Sequence, residues 1–139
     1  MRNRALEVLR WCVSISFFFM AMTKVTLVVT HGLEPYREVV VLAGLPEVIK
    51  YYGVFAVAIE FYLAIGVWIK QIFHSALILM MMLTVCGTAL SIVFIIFKLN
   101  MDCGCGLLGD SEYGLLVQKI VILGVLGILY KNETRLFAH

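Results

Sequence analysis

Cys103-Gly104-Cys105 is the part of this sequence with the clearest capacity for covalent chemistry. With one residue between the sulfurs, a bridge closes a small strained ring instead of a relaxed disulfide, and strain raises the reduction potential. Gly104 relieves the backbone cost of the turn, and Gly106 and Gly109 leave room for another protein's sulfur to approach. A redox dithiol is the leading reading. Two loop thiols that serve as a passive staple, or a metal site, are the alternatives. Two thiolates need further ligands to hold a metal, and the nearest candidate is His31, so no metal is expected.

Four polar residues interrupt the apolar runs and join the two cysteines as candidates: Lys24, Glu60, Gln118 and Lys119. Ionisable groups at membrane depth are costly and face the bundle interior, where they pair or mark a functional path. Lys24 and Glu60 are therefore expected to pair, either as a clamp between two helices or as part of a catalytic or cofactor pocket. Gln118 and Lys119 enter the last apolar run about one turn below the surface. Facing inward, Lys119 makes the region beneath the cysteines electropositive and favours thiolate over thiol. The expected outcome is the other one, in which its long stem carries the ammonium out to the headgroups. Cys12 and Cys86 lie inside apolar runs, at different depths, and read as small buried hydrophobes rather than a second relay pair.

The elements that carry these residues are membrane helices. The 139 residues are 63% hydrophobic and 14% charged, against roughly a quarter charged in a soluble domain. Apolar runs at 9–29, 51–69, 72–97 and 115–130 each meet or approach the roughly 20 residues that span a bilayer. They predict an all-α, four-helix transmembrane bundle forming a single domain over 1–139, with no room for a second soluble domain. The basic start, Met1 to Arg10, resembles a signal peptide, but the following run is long, contains Lys24 and has no small-x-small exit, so no cleavage is expected. Between the first two runs, Glu34-Pro35 and Gly44-Leu45-Pro46 bracket a short outer-surface helix, whose Val39 to Leu42 rest on the membrane or cap the bundle. The 70–74 turn between the second and third runs is short, so those helices are antiparallel. The fourth run, at about 16 residues, is short enough to start below the surface, with Asp110 or Ser111 available as its N-cap.

Basic residues set the topology. With both termini inside, Arg2, Arg4, Arg10, Lys70, Lys131 and Arg135 face the cytoplasm, and Arg37, Lys50 and Lys98 are the basic residues outside. Cys103 and Cys105 then face the periplasm of a bacterial inner membrane, where disulfides persist. Trp11, Trp68 and Tyr130 fall where an inner aromatic belt belongs. A net charge of +2 without a dense basic run excludes nucleic acid as a partner.

Lys24 late in the first run, the outer helix ending Gly44-Leu45-Pro46, Glu60 in the second run and Cys103-Gly104-Cys105-Gly106 before the fourth together resemble the MauE/DoxX family of small redox-associated membrane proteins. Cys103-x-Cys105 is similar to the Cys-x-Cys-Phe-Gly signature of the MauE branch, although Gly106-Leu107-Leu108-Gly109 follows here in place of Phe-Gly. The resemblance implies a four-helix bundle that works with a periplasmic thioredoxin-like protein in forming or maintaining disulfides, in some systems while a dehydrogenase subunit matures. Its DoxX side implies a link to quinone, the one cofactor in view. Cys103 and Cys105 are thus the catalytic candidates, and Lys24, Glu60, Gln118 and Lys119 tune them or line a cofactor pocket. A quinone-linked membrane subunit and a non-enzymatic anchor or assembly factor in a membrane complex are the other two readings.

The charge asymmetry yields the first test. A membrane-impermeant thiol reagent applied to intact cells after mild reduction should label Cys103 and Cys105. Labelling that requires lysis would reverse the topology.

Overall fold

In lipid a backbone must satisfy its own hydrogen bonds, and helices do so within one segment. The computed structural model describes residues 2–42, 44, 46–97 and 112–132. It consists of α1 (Arg2–His31), α2 (Glu34–Leu42), a 3-10 turn (Glu47–Tyr51), α3 (Tyr52–Gly66), α4 (Phe73–Phe97) and α5 (Glu112–Lys131). Four of these segments are long and apolar enough to cross a membrane: Arg4–His31, Glu47–Gly66, Phe73–Val93 and Tyr113–Lys131. Among the described residues there is no strand, and the all-α transmembrane bundle expected from the sequence is the observed fold.

The boundaries differ from the hydropathy reading in instructive ways. α1 begins well before residue 9, because Leu6 is already part of the packed core and extends the helix past the apolar run. α3 stops at Gly66 instead of continuing to 69. Val67 is completely buried, and the chain turns over 67–72 through Trp68 N–H to Ile65 O at 2.9 Å and Ile69 N–H to Gly66 O at 3.1 Å. α5 is 20 residues long, so the fourth span is not short. Asp110 and Ser111, the expected N-caps, lie outside the described residues, as do Cys103 and Cys105.

Consecutive spans pack as neighbours in a ring. α1 lies mainly on α3 and α4 mainly on α5, and the α3–α4 and α1–α5 contacts close the circuit. Lipid tails are as apolar as leucine, so it is close packing that holds such a bundle together. The apolar core, with Val13, Phe17 and Met20 of α1, Leu63 and Val67, Phe73, Leu77 and Met80 of α4, and Ile122, Leu126 and Leu129 of α5, fills the half nearer the chain termini. A latch reinforces that end. Ser14 Oγ donates to Ala64 O at 2.7 Å and accepts from Trp68 Nε1 at 3.1 Å, and the Arg10 guanidinium lies 4.0 Å from the Trp68 ring. Trp11 stacks against Trp68 at 4.4 Å, so these belt residues also tie α1 to the α3–α4 turn.

The opposite end carries α2. α1 and α2 both stop at a glycine with φ of +67°, Gly32 and Gly44, the left-handed conformation that ends a helix without a Cβ clash. One face of α2 buries Tyr36 and Val40, one turn apart, whereas Val41 is exposed, and the side chains of Val39 and Leu42 lie outside the described residues. Arg37 fastens it from outside, donating to Glu34 and to Glu47 at 3.3 Å each. The hydrogen bonds to Glu34 and then Glu47 push its pKa above the ordinary arginine value.

Tyr36 is seated on Gly53, where a Cβ would come within 2.8 Å of three ring atoms. Gly53→Leu should therefore lower stability by about 1–3 kcal/mol through overpacking. Adding Tyr36→Ala should recover much of the loss in a detergent unfolding experiment. A Gly53→Leu protein as stable as the parent would show that the seat is absent.

Candidate functional site

Each of the four spanning helices changes character at the same level. Moving toward the α2 end, apolar Met20 gives way to Lys24 on α1, Leu63 to Glu60 on α3, Met80 to Thr84 on α4 and Ile122 to Lys119 on α5. All six buried polar side chains among the described residues fall in the layer above that boundary: Lys24, Glu60, Thr84, Ser91, Gln118 and Lys119, each 6–7% exposed. Lys24 lies seven residues from the end of α1 and Lys119 seven from the start of α5, or about 10 Å of helix rise in each case.

Two lysines organise the layer. Lys24 Nζ donates to Glu60 Oε1, a buried ion pair joining α1 to α3 and meeting the expectation for these two residues. Lys119 contradicts the expectation that it extends to the headgroups. It is buried and donates to Gly87 O at 2.8 Å and Ser91 Oγ at 2.5 Å, both on α4. The reason is steric as well as polar. Gly87 has no side chain, and the lysine stem runs across it, with Cε 3.5 Å and Nζ 3.6 Å from where a Cβ would stand. Among the described residues Lys119 has no carboxylate within ion-pair distance, although its charge reaches Glu60. Glu60 Oε2 is buried and has no hydrogen-bond partner among the described residues.

The structure therefore brings together four sequence candidates, Lys24, Glu60, Gln118 and Lys119, in one layer. Cys103 and Cys105 lie outside the described residues, in the connection between α4 and α5. Cys12 and Cys86 are on the outer surface of the bundle and not in its core, which corrects their reading as buried residues. His31 is exposed at the end of α1, and no cluster among the described residues could hold a metal ion.

A scan of family models matches residues 2–131 to the methylamine utilisation protein MauE. The chain belongs to the MauE family. Comparison with curated proteins and with solved structures gives no match. The match runs through all four spans of this multi-pass membrane protein and thus includes every residue of the polar layer.

The α4 contribution to that layer was missed in the sequence. Its signal was present: Thr84, Gly87, Thr88 and Ser91 recur at helical spacing within an otherwise apolar segment. Thr84 Oγ1 donates to Met80 O at 2.7 Å, Thr88 Oγ1 to Thr84 O at 2.7 Å and Ser91 Oγ to Gly87 O at 3.0 Å, so these hydroxyls satisfy themselves on their own helix.

The buried ion pair is open to a direct test. Glu60→Gln leaves Lys24 without its counter-charge, a defect of about 3–5 kcal/mol in soluble proteins and smaller in lipid. Combining it with Lys24→Met should restore much of the stability in micelles. A double variant no better than the weaker single one would mean that the two charges do not support each other.

Proposed function

We infer that this MauE-family protein is a thiol–disulfide exchange protein of the bacterial inner membrane, using Cys103 and Cys105 at the periplasmic face. The observation that carries this reading is the inward-turned Lys119. Its ammonium sits between α4 and α5, the two helices whose adjoining ends bracket Cys103-Gly104-Cys105 in the chain. Positive charge near a thiol favours the thiolate, which is the species that attacks and leaves in exchange. Lys24 adds a second ammonium to the same layer, with Glu60 compensating one of the two.

The exchange balances within the two proteins. A thiolate of the partner attacks one sulfur of the Cys103–Cys105 disulfide, forming a mixed disulfide and releasing the other sulfur as a thiolate. The partner's second thiolate then attacks the mixed disulfide at the partner's own sulfur. The partner leaves oxidised, and Cys103 and Cys105 become the dithiol, having accepted two electrons and two protons. Buried positive charge and a strained one-residue bridge both favour this direction. The family description points to methylamine utilisation as the setting. There the partner is a periplasmic thioredoxin-like protein acting while an exported dehydrogenase subunit acquires its disulfides.

Cys105→Ser should trap the partner as a covalent adduct visible on a non-reducing gel, and the adduct should vanish with reductant. Equilibration of the purified protein with glutathione should place the couple on the oxidising side of thioredoxin, at about −270 mV, and toward the strong periplasmic oxidant at about −120 mV. A potential below about −300 mV, in the range of structural disulfides, would leave the cysteines as a loop staple and remove the exchange function.

A further inference from the structure

Hydroxyl groups along the spans find acceptors inside the bundle. Ser16, Thr23, Thr26 and Thr30 donate to carbonyls of α1, and Thr84, Thr88 and Ser91 donate to carbonyls of α4. Tyr62 of α3 differs. It is 57% exposed on the outside of the bundle, and its phenol makes no hydrogen bond to any described residue. A rigid ring holds that hydroxyl away from the backbone of its own helix, so it cannot satisfy itself as a serine or threonine does.

Phe61 fixes the depth of its neighbour. Its ring meets Phe18 of α1 with centroids 5.4 Å apart, and Phe18 lies eight residues, about 12 Å of rise, from Arg10, which stands over Trp68 at the inner edge. In the other direction the span begins at Glu47, about 22 Å of rise from Tyr62. Long side chains lean toward the N-terminus of their helix, so the ring leans away from the Trp68 end and its hydroxyl moves further into the hydrocarbon. Headgroups are out of reach there. An O–H among lipid tails has no acceptor, which is costly.

The hydroxyl therefore requires a hydrogen-bonding group at the same depth, outside the bundle. A second copy supplies one by symmetry. Two copies inserted in the same sense are related by a two-fold axis along the membrane normal, and a residue on that axis meets itself. A phenol is both donor and acceptor, so one Tyr62 can donate to the other. The surrounding surface suits such a seam. Phe55, Ala58, Tyr62 and Ile65 form one exposed stripe with the spacing by which two parallel helices stay in contact. Ala58, one turn before Tyr62 and on the side toward which the ring leans, is small enough for α3 to approach its copy closely.

We propose that the protein forms a parallel homodimer through the outer face of α3, with the two Tyr62 hydroxyls hydrogen-bonded to each other across the two-fold axis. The interface is independent of whether Cys103 and Cys105 exchange disulfides.

Copies carrying a donor or an acceptor fluorophore at the N-terminus, reconstituted together in phosphatidylcholine liposomes over a series of protein-to-lipid ratios, report the dimer by energy transfer. Transfer should rise to the plateau of a two-copy complex. Tyr62→Phe removes only an exposed hydroxyl, leaves the thermal midpoint of the bundle unchanged and should raise the dissociation constant about threefold to tenfold. Ala58→Leu should raise it more than about tenfold by holding the two helices apart. Gly124→Leu is the matched change on α5, where nothing stands within 4 Å of an added Cβ, and it should leave the constant within about twofold. Transfer no greater than random proximity at the highest ratio would overturn the dimer. A dimer that Tyr62→Phe and Ala58→Leu leave intact, or that Gly124→Leu disrupts instead, would overturn its assignment to α3.

Discussion

Hydrocarbon gives a buried charge no water to turn to, so a lysine inside a bundle dictates what must stand beside it. Here that constraint acts on both close-packed helix pairs. Lys24 reaches Glu60 and fixes how α1 meets α3, and Lys119 reaches Gly87 O and Ser91 Oγ and fixes how α4 meets α5. Apolar faces alone would tolerate a slide of one helix along another, because one lipid-like contact replaces the next at little cost. A register shift by one turn moves an ammonium about 5.4 Å from its acceptors. The packing of the whole ring follows from those two crossings.

Among the described residues the fully buried charges occupy only one half of the bundle. Toward the termini the interior is apolar and closed, with Phe17, Phe73, Leu77, Leu126 and Leu129 buried almost completely. The hydrogen bonds of its latch, Ser14 to Ala64 O and Trp68 to Ser14, are neutral, and the Arg10 guanidinium lies over the Trp68 ring at its edge. Toward α2 the interior is charged, and Glu60 Oε2 has no hydrogen-bond partner among the described residues. Apolar packing and buried charge are thus separated along the membrane normal, and both halves hold the helices together, one by close packing and the other by the Lys24 and Lys119 contacts. Tyr36 on Gly53 covers the second half without sealing it covalently, since α2 is held by one buried face and by the exposed Arg37 bridges, which contribute little in water.

Much of this was legible in the residues. Long apolar runs force helices once no water is available to the backbone, and a lysine and a glutamate inside such runs must find partners. The all-α bundle, the short α2 and the Lys24–Glu60 pair could therefore be anticipated from composition, from Pro35 and Gly44, and from depth. Local pattern was a poorer guide to helix ends. Leu6 extends α1, and the burial of Val67 ends α3 early, because packing decides where a membrane helix stops and hydropathy decides only where it can cross.

The direction in which Lys119 points belonged to the tertiary structure. In sequence it stands near the start of a span, where a flexible stem most simply reaches for water. Two facts from another helix reverse that outcome: Gly87 leaves a groove for the stem, and Ser91, one turn further along α4, supplies an acceptor beside the Gly87 carbonyl. The residues and their types are set by the sequence, and so is the need to compensate each buried charge. Which charge meets which acceptor depends on the mutual rotation of α4 and α5, and that rotation exists only once four helices have packed.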